Sequence, residues 1–385
     1  MEKVLTIIAE YNPFHNGHKY HFQKSKEKTG IDKTLVIMSG NFVQRGEPAI
    51  IDYRSRAALA KKNGADLILK LPTFYSTASS DFFTFGAMKI IKEIKIPVIL
   101  SFGAENKNKE LITNIAEFLA FEEKKYYKKI RELMQDGMSM PRAREKIIVN
   151  EIPEAQKVLN GSNNILAIDY IKNAYKLKIK NIEYQIIKRI GADYHDNSVQ
   201  NIMSASGIRN NIKKKDSAWK NSVPDNVRDK LINNELKDIK SLYKYIKYAV
   251  VKEGLDIKRY RGVIEGIEHK LITEIQKVNN YGELLDALLT KRYTETFLKR
   301  MLLSIFLGIT KKEFGYIQSR FYPFLEIIDF TEKGQKIINL IQKNSRIPLI
   351  HSINRYPWKD YYTIDKSIDI YRNLELKAER FYSNI

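Results

Sequence analysis

Through the first half of the chain, short apolar runs alternate with amphipathic ones. Val4–Ala9, Thr34–Met38, Asp66–Leu71 and Pro97–Phe102 are compact and mostly apolar, the pattern of parallel strands covered on both faces. Between them His18–Lys28, Tyr53–Asn63, Asp81–Ile94 and Lys109–Leu119 repeat apolar positions at helical spacing, and Gly30, Gly64 and Gly103 punctuate the ends. A helical insertion from about 122 to 177 follows, with helices over Glu122–Gln135 and Ile165–Leu177 on either side of Gly161-Ser-Asn-Asn164. Ile182–Ile187 reads as one more strand, and Ser204-Ala-Ser-Gly-Ile-Arg209 as a helix start capped by Ser204 or Ser206. This order predicts an α/β fold, a Rossmann-like doubly wound parallel sheet with right-handed crossovers. Beyond about Lys215 the period becomes helical in Ser241–Glu253, Val263–Val278, Tyr281–Ile309 and Thr331–Lys343, with few strand signals. The expected organisation is a catalytic domain over 1–215 and a separate, mostly α-helical domain over 216–385. The polar stretch Lys213–Asp225 forms the boundary.

Charge narrows the choice of partner. The 385 residues carry 66 Lys+Arg against 45 Asp+Glu, a formal +21. A positive field of this size favours polyanions such as nucleic acid, although a lysine-rich composition inherited from an AT-rich coding sequence gives the same surplus. With no cysteine, disulfides, thiolate metal sites and cysteine nucleophiles are excluded. No basic stretch leads into a long apolar segment at the N-terminus, and apolar runs fall short of the roughly 20 residues a bilayer span needs. The expectation is a soluble cytoplasmic protein with no membrane partner.

The chemistry concentrates where the first strand meets the first helix, in Glu10-Tyr-Asn-Pro-Phe-His-Asn-Gly-His18. A strand entering a helix through a tight turn aims backbone N–H groups at an anion. Two histidines there, His15 and His18, can donate to oxygens that gain charge as pyrophosphate leaves, and Gly17 lets the backbone approach the ligand. The same His-x-x-His spacing is half of many metal sites. Here, however, no carboxylate stands at helical ligand spacing from either ring, and no metal site is expected. A purely structural pair also fits. Position favours the nucleotide reading, because open α/β sheets bind ligands where the first strand opens into its helix.

Further blocks follow in order: Met38-Ser-Gly-Asn-Phe-Val-Gln-Arg-Gly-Glu-Pro-Ala49, Ser101-Phe-Gly-Ala-Glu105, Ser162-Asn-Asn-Ile-Leu166, Lys188-Arg-Ile-Gly-Ala-Asp-Tyr-His-Asp196, the Ser204–Arg209 element and Thr290-Lys-Arg-Tyr-Thr294. Together with the N-terminal block they resemble the bacterial tRNA(Met) cytidine acetate ligase family, of the HIGH nucleotidyltransferase type. The resemblance covers most of the chain. Its Gln-Arg-Gly-Glu-Pro and Glu-Tyr-Asn-Pro-Phe-His blocks are far more specific than His-x-Gly-His, which the whole superfamily shares. Ser162 stands where Pro is expected, and Gly207 falls at a variable position.

The resemblance implies ATP-dependent formation of N4-acetylcytidine at the wobble position of elongator tRNA(Met), with acetate as acyl source and acetyl-adenylate as intermediate. It places ATP contacts on Ile7, Ile8, Ala9, Glu10, Tyr11, Asn12, Pro13, Phe14, His15, Asn16, Gly17, His18, Lys19 and Tyr20. Further contacts fall on Gly103, Asn163, Arg189 and Ile190, and on Ser204 and Ser206 of the second phosphate-binding element. His15 and His18 are expected at the α-phosphate and the leaving pyrophosphate, and Arg209 at the terminal phosphates, with Mg²⁺ arriving alongside ATP. Asn41, Gln44 and Arg45 are candidates for acetate or the cytosine edge, although Ser-Gly-Asn and Arg-Gly-Glu-Pro are also ordinary turn sequences. Lys213, Lys214, Lys215, Lys291, Arg292 and Arg300 are candidates for tRNA phosphates; a solvated charged face explains any single cluster equally well. His195 in Asp193-Tyr-His-Asp196 is expected to be structural or to touch RNA. A small-molecule adenylyltransferase of the same fold and a non-catalytic RNA-binding protein are the alternatives.

Overall fold

A seven-stranded sheet organises the chain, in the spatial order β7 (Ile182–Lys188), β6 (Val98–Ala104), β1 (Val4–Ala9), β2 (Thr34–Ser39), β5 (Leu67–Leu71), β8 (Leu325–Phe330) and β9 (Leu349–Ile350). A small antiparallel ribbon, β3 (Phe42–Val43) with β4 (Glu47–Pro48), carries the loop after β2. The computed structural model describes residues 2–189, 202–264, 266–353 and 366–385. The first part of the chain supplies helices α1 (Asn16–Thr29), α2 (Tyr53–Lys62), α3 (Thr73–Ser76), α4 (Ser80–Ile94), α5 (Lys109–Phe121), α6 (Tyr127–Gln135), α7 (Met140–Glu151), α8 (Gln156–Leu159) and α9 (Ser162–Lys176). The remainder supplies α10 (Ala205–Lys213), α11 (Asp225–Ile232), α12 (Tyr243–Glu253), α13 (Ile267–Glu274), α14 (Tyr281–Leu288), α15 (Glu295–Leu307), α16 (Lys311–Gln318), α17 (Glu332–Asn344) and α18 (Lys366–Ser383).

The five strands of the first half are mutually parallel and in register; β1, β2, β5 and β6 have the mostly apolar runs that suit parallel strands, whereas the edge strand β7 alternates apolar positions with Glu183 and Gln185. Every residue of β2 is buried. The chain moves from β1 outward through β2 to β5, then crosses back to β6 and β7 on the other side of β1. The crevice at the C-terminal ends of β1 and β6 is therefore the topological switch point, where such sheets take ligands.

Two expectations are corrected. The region beyond 215 is mostly helical, but β8 adds antiparallel to β5 and β9 lies parallel beyond it. The sequence of β8, Leu-Glu-Ile-Ile-Asp-Phe, hides a strand behind two carboxylates. The single helix expected over Tyr281–Ile309 is two. Thr290 Oγ1 accepts the Tyr293 N–H at 3.0 Å, and Thr294 caps α15 by accepting the Phe297 N–H, so the hydroxyls end one helix and start the next. One buried apolar cluster takes Leu67 and Leu69 from the sheet together with Leu302, Phe306, Leu325 and Ile327 from beyond residue 216. Among the described residues, no helix is long and apolar enough to cross a membrane.

Candidate active site

The turn between β1 and α1 is built from aromatic packing. Tyr11 and Phe14 are buried with ring centroids 4.9 Å apart, and both lean on the His18 ring, at 4.8 and 5.4 Å. Tyr11 adopts φ +49°, and the Asn12–Pro13 peptide is cis. Asn12 Oδ1 accepts the Ile50 N–H at 2.8 Å, tying the turn to the loop that follows β2. Arg56 of α2 is fully buried beneath this junction, and its guanidinium donates to the carbonyls of Glu10, Ser39, Gly40 and Ile51. One cation thereby clamps the ends of β1 and β2.

His15 is the N-cap residue of α1. Its N–H donates to His18 Nδ1 at 3.2 Å, and its carbonyl accepts the His18 N–H at 2.8 Å. The two imidazoles stack with centroids 3.7 Å apart. Burial, with the charge of Arg189 adding to it, lowers His15 to about pKa 3 and His21 to about 4, and pushes His18 well below the ordinary range. All three rings are neutral near pH 7. Because Nδ1 of His18 accepts, its proton sits on Nε2, so the ring is a neutral donor beside the first free N–H groups of a helix. Among the described residues, buried His15 Nδ1 has no hydrogen-bond partner.

Gly17 leaves no room for anything larger. An added Cβ would lie 2.9 Å from His15 Cε1 and 3.0 Å from Nδ1. Gly17→Ala improves helix propensity by about 1 kcal/mol but must displace the His15 ring. The expected result is unchanged or higher thermal stability with nucleotide turnover lowered about 10–100-fold, checked by a melting curve beside a steady-state assay.

The other wall comes from β6, β7 and α9. Arg189 Nη1 donates to Asn163 Oδ1 at 2.9 Å, and Asn163 Nδ2 donates to Glu105 Oε1 at 2.5 Å. Glu105 Oε2 accepts the Asn164 N–H at 3.0 Å, so this carboxylate serves the N-terminus of α9. Asn164 Oδ1 in turn accepts the N–H groups of Glu105 and Asn106. Ser162 occupies the first turn of α9, a position that also accepts proline. A Cβ on Gly103 would sit 3.1 Å from Arg189 Cγ. His21 Nε2 lies 2.9 Å from Ser101 Oγ, tying α1 to β6 beneath the crevice.

The second element stands opposite. Ser204 caps α10 by accepting the Gly207 N–H at 3.1 Å. Arg209 donates to the Asn12 carbonyl at 2.8 Å and pairs with Glu47 at 2.9 Å, and Ser206 Oγ lies 3.4 Å from its Nη2. Gln44 supplies its backbone N–H to Glu10 at 2.7 Å. Burial holds the Glu10 carboxyl above its ordinary range, with Glu47 reinforcing this and the Gln44 N–H, Arg209 and Arg45 opposing it. Arg45 is exposed at the loop tip.

Several residues read from the sequence are engaged elsewhere. Asn41 is buried and its Oδ1 accepts the Tyr53 N–H at 3.0 Å, at the entry to α2. Arg300 does not share a helix with Lys291 and Arg292. It lies on α15, half-buried, with Nη1 3.5 Å from the Gln44 carbonyl, while Lys291 and Arg292 are exposed in the connection before it. Lys213, Lys214 and Lys215 are exposed, and Lys213 pairs with Asp238 at 3.3 Å. Ile190 and the Asp193–Asp196 stretch with His195 lie outside the described residues. Glu47, Glu105, Asn164 and Arg56 escaped the sequence reading, although Glu47, Glu105 and Asn164 stand inside the blocks that carried it. Among the described residues, no group of three or more His, Asp or Glu side chains is arranged to hold a metal ion.

The crevice therefore gathers two neutral histidines, a helix N-terminus and two arginines around one end of the sheet, an arrangement suited to a triphosphate. A family model described as HIGH Nucleotidyl Transferase matches residues 2–385. The tRNA(Met) cytidine acetate ligase of Clostridium tetani is 37% identical over 392 residues, covering 98% of this chain and 94% of that one. The enzyme of the same name from Thermoanaerobacter sp. is 36% identical, covering 92% and 90%.

The chain belongs to the tRNA(Met) cytidine acetate ligase family.

The fold agrees. The crystal structure of Thermotoga maritima TmcAL bound with alpha-thio ATP superposes with a TM-score of 0.88 at 28% identity, covering all of this chain and 94% of that one. The apo form superposes at 0.90 with 29% identity, covering 99% of this chain and 94% of that one. In this chain His15, His18, Asn163, Arg189 and Arg209 stand around the switch-point crevice.

Proposed function

We propose that this chain is an ATP-dependent ligase that acetylates the wobble cytidine of elongator tRNA(Met) at N4, taking acetate through acetyl-adenylate. The observation carrying this reading is the neutral, Nε2-protonated His18 at the N-terminus of α1, stacked on His15 near Arg189, with Arg209 held on the Asn12 carbonyl of the same turn. An oxygen of acetate attacks the α-phosphorus of ATP, the bond to the bridging oxygen breaks, and pyrophosphate departs. His18 Nε2–H and the free N–H groups of α1 stabilise charge on the α-phosphate and the leaving oxygen, and His15 holds the adjoining phosphate. Arg209 binds the terminal phosphates through its fork, with Glu47 and the Asn12 carbonyl fixing its plane. Mg²⁺ accompanying ATP would screen the charge of the triphosphate.

In the second step the cytidine amine attacks the acetyl carbonyl and AMP leaves. The wobble base lies in a single-stranded loop, so presenting it requires no duplex opening. Gln44 and Arg45, on the loop joined to Glu10 through the Gln44 N–H, are our candidates for contacts to acetate or the base edge. A cytoplasmic location follows from the substrate. The test is nucleoside mass spectrometry of tRNA after incubation with ATP and isotope-labelled acetate. Label in N4-acetylcytidine supports the assignment. Pyrophosphate exchange driven only by a phosphorylated cofactor precursor would transfer the chain to the small-molecule adenylyltransferases.

A further inference from the structure

Helix α12 supplies nothing to the crevice, yet its outer face has an unusual order. Lys240, Lys244, Tyr248 and Lys252 follow at four-residue intervals along the turn before it and the helix, and all four are exposed. The opposite face buries Ile246 and Val250, so the helix is docked and its outer face fixed in direction. Tyr248 is 66% exposed, far beyond what packing needs. Lys252 Nζ lies 5.6 Å from its ring centroid, and Lys244 Nζ lies 5.0 Å from that of Tyr245. The neighbouring carboxylates already have partners: Asp238 pairs with Lys213 and accepts the Lys240 N–H at the start of the strip, and Glu253 pairs with Arg259 and accepts from the Tyr260 hydroxyl. Beside the strip opens a cavity of about 330 Å³, lined among others by Lys240, Tyr243, Lys244, Tyr245, Asn279 and Asn280.

The strip is connected to the crevice. The Lys237 N–H donates to the Ile50 carbonyl at 3.0 Å, and the Tyr382 hydroxyl to the Ala49 carbonyl at 2.8 Å, anchoring this corner to the loop that carries Gln44. Lysines spaced along an aromatic-bearing groove are the chemistry of single-stranded RNA binding: cations follow the phosphates and a ring stacks an unpaired base. A membrane surface would instead need a wide outward apolar face; Ile246 and Val250 point inward, and the apolar side chains left outside near Tyr248 are Val251, 62% exposed, and Leu255, 50% exposed, among lysines.

We propose that the outer face of α12 and the adjoining cavity bind the single-stranded RNA flanking the modified nucleotide, with phosphates on Lys240, Lys244 and Lys252 and an unpaired base on Tyr248. This assignment rests on tRNA being the substrate. Filter binding of tRNA(Met) across a salt series tests it. The triple variant Lys240→Gln, Lys244→Gln, Lys252→Gln should flatten the log Kd against log salt slope by about 2, from three contacts at roughly 0.7 each. Tyr248→Ala should weaken binding about tenfold. Acetate-dependent pyrophosphate exchange without tRNA should persist in both variants, which also reports that the crevice is intact. Wild-type slope and affinity in both variants would overturn the assignment while leaving the ligase reading in place. A wild-type protein that exchanges pyrophosphate yet never binds tRNA would overturn both. Sedimentation with phosphatidylglycerol vesicles that the triple variant loses, with tRNA binding unaltered, would overturn it in favour of a membrane surface.

Discussion

His18→Ala lowers acetate-dependent ATP–pyrophosphate exchange about 10²–10³-fold while tRNA affinity stays near that of the unaltered protein. The magnitude is that of removing one fixed donor from a site where charge develops. His18 donates at no reorganisation cost, because the backbone N–H of His15 holds Nδ1 and leaves the proton on Nε2. The Tyr11 and Phe14 rings keep the imidazole from rotating away. Burial and the Arg189 charge keep it neutral in the free protein, so it stabilises the forming charge as a hydrogen-bond donor and not as a resident cation. His18→Gln restores a donor of similar length without the ring packing and is expected to recover part of the loss. Exchange that proceeds normally in His18→Ala would remove this residue from the chemistry. A parallel collapse of tRNA affinity would make its role structural.

What the sequence revealed about this site follows from where its signals are local. The strands β1, β2, β5 and β6 declare themselves because each is a mostly apolar run bounded by turn residues, and β7 because Ile182, Tyr184 and Ile186 alternate with polar positions. The β1–α1 turn is legible because its glycine, proline and histidines are contiguous. Ser204 is legible as a cap because capping acts over three residues. Hidden features are those whose cause lies far along the chain. Glu326 is acceptable in β8 only because Lys70 waits for it across the sheet. Asn41 resembles a ligand-gripping loop residue until the Tyr53 N–H takes its oxygen. Arg56 resembles an ordinary helix-surface cation until three carbonyls from two strand ends and a fourth, that of Ile51 before α2, converge on it. Glu105 lies inside a recognisable block, but its service to α9 needs a residue 59 positions away.

That long-range ion cluster also carries the larger stability prediction. Lys70 of β5, Glu326 of β8 and Glu375 of α18 are 3%, 4% and 3% exposed, with Nζ 3.1 Å from Glu326 and 2.9 Å from Glu375. The cation also stands 4.5 Å from the Tyr53 ring centroid, and Glu375 accepts the N–H and hydroxyl of Thr73. Lys70→Met fills similar volume but strands two carboxylates in the core, and is expected to cost about 3–5 kcal/mol in urea unfolding near neutral pH. The deficit should shrink as the solution is acidified. Burial already raises Glu326 above its ordinary pKa, while Lys70 lowers it, so losing the lysine raises it further. A carboxyl raised in the folded state makes that state bind more protons than the unfolded chain. Stability then falls as pH rises through this window and returns as pH drops. Because the cluster joins β5 to β8 and α18, the variant should lose the docking of the C-terminal region onto the sheet first. Two unfolding transitions in place of one would mark residues 216–385 as a unit able to fold by itself. A single transition at lower urea would mean that the shared apolar core, with Leu67 and Leu69 against Leu325 and Ile327, holds the chain together without the ions.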